Sequence, residues 1–404
     1  MPTRAPLQVL LFRHSDDTDV IPYQEAILRA FQGGKDTRNY LATGADLGIQ
    51  SEIYETTPAF PAPETLDSFC HTLSIVLVDD ALLSKGDDAT WDWLEACWNH
   101  VRASNGRHAM IAVVLDERIG RRFRAKRPAF STLQTLQVHS LGENDIRPAM
   151  LSLFLLHECR VRLAGALAPL LGFDPAPLKL FISHAKMDGL PLARALKHQI
   201  DELKWLPKFY DADDLPPGCD WQAELEKNVG ASLIVILRTD EYDNRHWCQQ
   251  EVLWADEYAT PAVLVDARTS LNHPAGTLPL DRVPSVRIPD GNLIRILYLA
   301  LREGLRFLLF MRRVEEMKAS GALPDPVELR VFSFQPSMAA LLRTCGILAK
   351  SSADPAVPRM ILYPDPPFRA GLYEAADALV KGYGPDGTKL TTPNTLAALK
   401  GVTP

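Results

Sequence analysis

Leu233-Ile234-Val235-Ile236-Leu237 and, a short polar stretch later, Asn244-Arg245-His246-Trp247-Cys248-Gln249-Gln250-Glu251-Val252-Leu253-Trp254 decide the fold. The first run is continuously apolar and largely β-branched, the pattern of a strand buried on both faces. The second opens a helix on which Trp247, Glu251 and Trp254 fall at i, i+4 and i+7, so one stripe carries two indoles with a carboxylate between them. On spacing alone this is an amphipathic helix with a solvated edge glutamate. A carboxylate held among apolar neighbours is costly, however, and is the pattern of a working acid.

Outward from this pair, strands keep alternating with helices. Leu178–Ser183 reads as a buried strand, followed by a loop with His184, Lys186 and Asp188 and a helix over 190–203. Lys208–Asp211 reads as a short strand, then a loop with two prolines and a glycine, then a helix from Gln222 to Val229 and a strand over 262–265. The N-terminal part repeats the plan, with strands over 7–13, 51–55, 73–78 and 110–115 and helices over 23–31 and 91–101. Such alternation specifies a parallel, doubly wound sheet. A helix over 147–171, stopped by Gly172, Pro175 and Pro177, reads as the connector between the two. A long amphipathic helix over 292–318 has Leu293, Ile296, Leu297, Ala300 and Leu301 on its apolar face and Arg302, Glu303, Arg306, Arg312 and Arg313 on the others. Strand-like runs at 329–334 and 359–363 and helices at 338–348 and 369–380 close the chain. The expected division is 1–146, connector 147–176, 177–290, long helix 291–325, and a small α/β unit 326–404.

The 404 residues are 47% apolar and 23% charged, enough for two or three buried cores. A net charge of −7 gives no electrostatic footprint for nucleic acid. The basic run 118–127 reads as a solvated loop, with phosphate binding as the alternative. The six cysteines form no CxxC pair and no zinc-ligand spacing with histidine, so no metal and no disulfide framework are expected, which suits a reducing cytoplasm. The run over 151–171 is broken by His157, Glu158, Arg160 and Arg162 and is not read as a membrane span.

Three boxes in order give this pattern a family resemblance: Leu180-Phe181-Ile182-Ser183-His184-Ala185 with Asp188; Tyr210-Asp211-Ala212-Asp213-Asp214-Leu215-Pro216-Pro217-Gly218-Cys219-Asp220-Trp221; and Trp247-Cys248-Gln249-Gln250-Glu251. Together they resemble a TIR (Toll/interleukin-1 receptor) domain of the bacterial NAD-cleaving type. The second box is similar to the BB loop and the third to the WCxxE box. The resemblance implies a flavodoxin-like fold, cleavage of NAD at the nicotinamide–ribose bond, and Glu251 as the catalytic residue. It further implies a nucleotide cleft formed by Ile182, Ser183, Asp188, Trp221 and Trp247. Self-association through a BB loop containing Asp214, Leu215, Pro216, Pro217 and Gly218 is implied as well. NAD would be substrate, with no further cofactor.

From the residues themselves, Asp188 could equally be a helix N-cap, Ser183 could bond backbone, Trp221 could plug the loop, and Trp247 reads as core. Cys248 has no redox partner, and His246 would face away from it. In the N-terminal part, Leu11-Phe12-Arg13-His14 stands where Phe181-Ile182-Ser183-His184 stands later, and Trp91, Glu95 and Trp98 repeat the indole–carboxylate triplet. This suggests a divergent TIR-like first domain, with Glu95 a packing or interface residue. The expected function is a cytoplasmic NAD glycohydrolase of antiviral defence that works as an oligomer or filament. A trigger ligand or protein would act on 1–146 or 326–404, with no membrane or nucleic-acid partner. The alternative is a non-catalytic TIR adaptor. A nucleotide messenger gating the enzyme is a third possibility.

Overall fold

The computed structural model describes residues 4–32, 47, 49–55, 61–165, 167, 178–203, 205–206, 221–269, 283–288, 292–323, 328–345, 359–365 and 367–399. The chain divides into two compact units, 1–176 and 177–404. The fold is α/β, and every described sheet is parallel.

The first unit contains β1 (Leu7–Arg13), α1 (Ile21–Gln32), β2 (Gln50–Glu55), β3 (His71–Val78), α2 (Asp80–Lys85), α3 (Asp88–Ala103), β4 (His108–Val114), α4 (Glu117–Lys126), β5 (Thr135–Gln137) and α5 (Arg147–Gly165). The strand order is β2-β1-β3-β4-β5, the flavodoxin-like doubly wound order. β3 and β4 are buried along their whole length, as their unbroken apolar runs require. Leu10, Phe12, Val76, Trp91, Phe123 and Phe130 anchor one core. The expected connector helix is α5, which packs against α1 inside this unit.

The basic run at 118–127 is not a loop. Asp116 caps α4 by accepting from the Ile119 amide at 2.8 Å, and Ile119, Gly120 and Phe123 are buried on one side. Arg118 and Arg122 on the other side pair with Asp80. Partners within the fold thus explain these cations without a bound phosphate.

The second unit contains β6 (Leu180–His184), α6 (Leu190–Glu202), α7 (Trp221–Gly230), β7 (Leu233–Arg238), α8 (His246–Glu257), β8 (Ala262–Asp266), β9 (Ser285–Arg287) and α9 (Leu293–Ala319). It continues with β10 (Glu328–Val331), α10 (Met338–Thr344), β11 (Arg359–Leu362), α11 (Ala370–Tyr383), β12 (Lys389–Thr391) and α12 (Pro393–Leu399). β6-β7-β8-β9 form one sheet, with Ser183 opposite Ile236 and His184 opposite Leu237. The strand expected at 208–211 and the loop at 212–220 lie outside the described residues.

A three-stranded sheet, β10-β11-β12, closes the chain with its own core of Phe332, Leu341, Ile361, Tyr363 and Val380. The expected strand over 329–334 ends at Val331. α9 packs on β7, β8 and β9. Its Arg302 and Glu303, expected on solvent faces, are each 3% exposed. Glu303 pairs with Arg306, whose guanidinium also donates to the Ser333 carbonyl, so this charge is buried as a bonded group rather than left alone.

Candidate active site

The carboxyl ends of parallel strands leave backbone groups and loop side chains facing a common crevice, where open α/β sheets take their ligands. At the end of β6 the chain turns sharply, with the Gly189 amide donating to the Ala185 carbonyl at 2.8 Å. A Cβ at 189 would lie 2.9 Å from that same carbonyl oxygen, so glycine is what permits the turn. Asp188 closes the turn against the neighbouring loop: it accepts from Thr239 Oγ1 at 2.7 Å and from the Glu241 amide at 3.0 Å. It is therefore neither the cap of α6, whose N-cap is Gly189 without a side-chain bond, nor a wall of the crevice. Asp188 holds two loops together.

Between that turn and the first turns of α8 lies a cavity of about 220 Å3, lined by Ile182, His184, Lys186, Met187, Arg245, His246, Trp247, Cys248 and Glu251. Glu251 is 7% exposed and accepts a hydrogen bond from Ser183 Oγ. Ser183 Oγ also lies 2.5 Å from the hydroxyl of Tyr242, which is wholly buried. Since the serine proton goes to Glu251, the tyrosine proton goes to the serine: Tyr242 donates to Ser183, and Ser183 donates to Glu251. Charge-assisted bonds of this kind contribute about 1.5–3 kcal/mol each and fix the carboxylate in one rotamer. Burial, and then the nearby Glu251 carboxylate, push the Tyr242 phenol well above its ordinary value, so it stays a donor.

Trp247 departs from its reading as core and stands at the cleft that the resemblance implies. It is 41% exposed and lines the cavity, while Trp254, 4% exposed, is the core residue of the pair; their rings lie 6.5 Å apart. His246, expected to face away from Cys248, lines the same cavity as that cysteine, with its ring 5.5 Å from Trp247. The first turn of a helix presents consecutive residues over a wide arc, which the i, i+4 pattern hides.

Cys248 lines the cavity too, but burial and then Glu251 push its thiol up to about 12, which removes the thiolate a nucleophile needs. His184 directs Nδ1 at the Ile182 carbonyl, 3.3 Å away, and its buried Nε2 has no hydrogen-bond partner among the described residues.

Of the residues expected at the cleft, Ile182, Trp247 and Glu251 line it, Ser183 holds Glu251, and Asp188 stands behind it. The side chain of Trp221 and the residues Asp214, Leu215, Pro216, Pro217 and Gly218 lie outside the described residues. Sequence reasoning gave no site role to Tyr242, Lys186, Met187 or Arg245. Tyr242 sits in a 3-10 turn (Tyr242–Asn244), where no periodicity marks it.

The first unit differs at the positions that the sequence comparison set beside these. Arg13, set beside Ser183, is ion-paired with Glu55 on β2 and donates to the Asp17 carbonyl. Trp91 is buried with its indole N–H on the Gly86 carbonyl, and Trp98 donates to the Ala129 carbonyl. Glu95 lies 3.6 Å from the Arg127 guanidinium and is half-buried.

The TIR domain family model matches residues 180–286, which run from β6 to β9 and contain the whole cavity. A TIR domain is thus found over about a quarter of the chain. No curated protein sequence matches it. Among the described residues no helix is long and apolar enough to cross a membrane.

Proposed function

We propose that residues 180–286 carry an NAD glycohydrolase that cleaves the nicotinamide–ribose bond, with Glu251 as its catalytic residue. The observation that carries this reading is a buried carboxylate, held by Ser183, in the wall of a cavity shared with an indole. The nicotinamide ring of NAD is already cationic and leaves as a neutral molecule. Of the two carboxylates that ordinary glycoside hydrolysis employs, the general acid is therefore unnecessary. The remaining carboxylate stabilises the oxocarbenium-like ribose or orients its hydroxyls. Water then adds at the anomeric carbon to give ADP-ribose, or an internal nucleophile gives a cyclic product.

At about 220 Å3 the cavity is smaller than the roughly 300–1,000 Å3 that encloses a whole drug-sized ligand, and it suits the nicotinamide–ribose end. Trp247 offers a stacking face, His184 a polar Nε2 without a hydrogen-bond partner among the described residues, and Lys186 and Arg245 cations for the pyrophosphate. Self-association and a role in antiviral defence extend the same reading: NAD loss triggered by assembly would arrest an infected cell. The first unit, with a parallel sheet and its own indole–carboxylate triplet, is read as a divergent TIR-like domain that has a triggering or docking role. Arg13 and Arg127 occupy the carboxylates there.

The test is nicotinamide release from NAD by the purified chain over a range of protein concentrations, beside Glu251→Gln. Release that falls at least a hundredfold in the variant is the expected result. Equal release from both proteins, or none at any concentration, would leave a TIR adaptor as the reading.

A further inference from the structure

Three residues distant in sequence meet at the N-terminal edge of the first sheet. Asp67 lies on a short 3-10 turn (Pro63–Ser68), His100 on the last turn of α3, and His108 at the start of β4. Asp67 Oδ2 is 3.3 Å from His100 Nε2, and Oδ1 is 3.2 Å from His108 Nε2. One ligand atom from each residue can be chosen so that all lie within 4.8 Å of one another. The two rings stack at 27° with centroids 6.1 Å apart, both with Nε2 toward the same carboxylate.

We propose that Asp67, His100 and His108 form a binding site for one divalent transition-metal ion of the zinc class. The donor set is two imidazole nitrogens and one carboxylate oxygen, which suits zinc or cobalt and is wrong for calcium or magnesium. The two imidazole nitrogens approach different oxygens of the one carboxylate, Oδ2 at 3.3 Å and Oδ1 at 3.2 Å, so an ion held between the rings takes one oxygen after a small rotation of the carboxylate. The His108 side chain is entirely buried and reaches the cluster only through Nε2, so its direction is fixed by the fold. Its Nδ1 is buried without a hydrogen-bond partner, so the cluster accounts for this histidine's bonding among the described residues. Asp67 and His100 are partly exposed, which leaves an entry path and a further coordination position for water or a partner's ligand.

The competing charge is Arg107, whose guanidinium is 3.2 Å from Asp67 Oδ1. Both side chains are 42% exposed, so the pair is weak and an entering dication displaces the guanidinium into water at little cost. Spacing rules miss the site because the three ligands come from a turn, a helix end and a strand start. Metal binding would clip these three elements together at the sheet edge opposite the carboxyl ends of its strands. The site lies in the first unit and stands whether or not Glu251 is catalytic.

The test uses the full chain, stripped of metal with a chelator and titrated with Co2+ alone and with Zn2+ against a chromophoric chelator. The expected result is one equivalent per chain, with the visible d–d absorption of four-coordinate cobalt. Asp67→Asn and His100→Ala, both at partly exposed positions, should each weaken binding at least tenfold, whereas His139→Ala, at an exposed position elsewhere in the unit, should not. Zinc should raise the thermal transition of the unaltered protein and of the His139 variant only. No saturable binding, or binding that survives both Asp67→Asn and His100→Ala, overturns the proposal.

Discussion

Tyr242 has one proton and two acceptors in view, Ser183 Oγ at 2.5 Å and the Cys248 carbonyl at 3.4 Å. The shorter contact wins, and the relay through Ser183 to Glu251 makes two variants informative. Tyr242→Phe keeps the buried ring and removes the hydroxyl, leaving Ser183 oxygen without its donor; a lost buried hydrogen bond costs about 1–2 kcal/mol. Ser183→Ala takes away the donor on the carboxylate itself. Both should retain the fold and lower nicotinamide release, Ser183→Ala by on the order of tenfold or more and Tyr242→Phe by less, with KM little changed. Paired steady-state kinetics read this directly: a variant that raises KM at constant kcat would mean these groups bind substrate rather than hold the carboxylate. Cys248 gives a control in the same cavity. With its thiol pushed up to about 12, it should resist iodoacetamide at pH 7.5 in the folded protein, and Cys248→Ala should leave release within about twofold. Rapid alkylation coupled to loss of activity would contradict that assignment. At this scale Glu251 and Ser183 stood out only through the boxes that carry the resemblance, and the bond between them was not foreseen. Tyr242 was invisible because its contact is tertiary and its turn has no period.

The helix α8 links two jobs. Its first turns face the cavity, and its last turn is bonded to the C-terminal sheet. Ser337 Oγ donates to Asp256 Oδ2 at 2.5 Å while accepting from the Ala340 amide at 2.9 Å as the cap of α10. Arg330 donates to the Glu257 carbonyl at 2.7 Å, and Ala259, just past the helix, joins the core of Phe332 and Tyr363. Ser337→Ala therefore removes a helix cap and a donor to a buried carboxylate together, a loss of about 2 kcal/mol. Urea unfolding should show that loss, while nicotinamide release at 25 °C stays near the unaltered rate because Ser183, not this contact, sets Glu251. An unchanged unfolding midpoint would remove the coupling from the account. Long strands and long helices were legible because their apolar runs are continuous. The element α4 was not, since Arg118, Arg121, Arg122, Arg124 and Lys126 conceal the buried Ile119, Gly120 and Phe123. The three-residue strands β5, β9 and β12 are too short for alternation to register, and pairing with longer neighbours is what defines them.

Across the whole molecule, the two compact units have separate cores, and the first carries two buried groups whose titrations oppose one another. In the first unit Asp17, 2% exposed, sits near Asp79, 5% exposed, where β1 and β3 reach their carboxyl ends. Burial and then the Asp79 carboxylate push Asp17 up to about 7 from 3.8. The folded unit therefore keeps a proton that the unfolded chain releases near pH 4. Between about pH 4 and 7 the folded state binds more protons, and its stability falls as pH rises. His157 works in the opposite direction: burial, with Arg160 adding to it, brings it down to about 4, so protonation below pH 6.5 favours unfolding. The two slopes partly cancel in the unaltered chain, and a single substitution separates them. Asp17→Asn keeps the Oδ1 that accepts from the Asp19 amide at 3.0 Å and the Val20 amide at 3.3 Å, and removes the charge. The variant should be more stable than the unaltered protein at pH 8 by about 2–4 kcal/mol, with the gap closing toward pH 4. Only the transition of the first unit should move, and nicotinamide release should be unaffected. Calorimetric scans at pH 5, 6.5 and 8 decide it, because a variant equal to or weaker than the unaltered chain at pH 8 would mean that Asp17 is ionised at no cost in the fold.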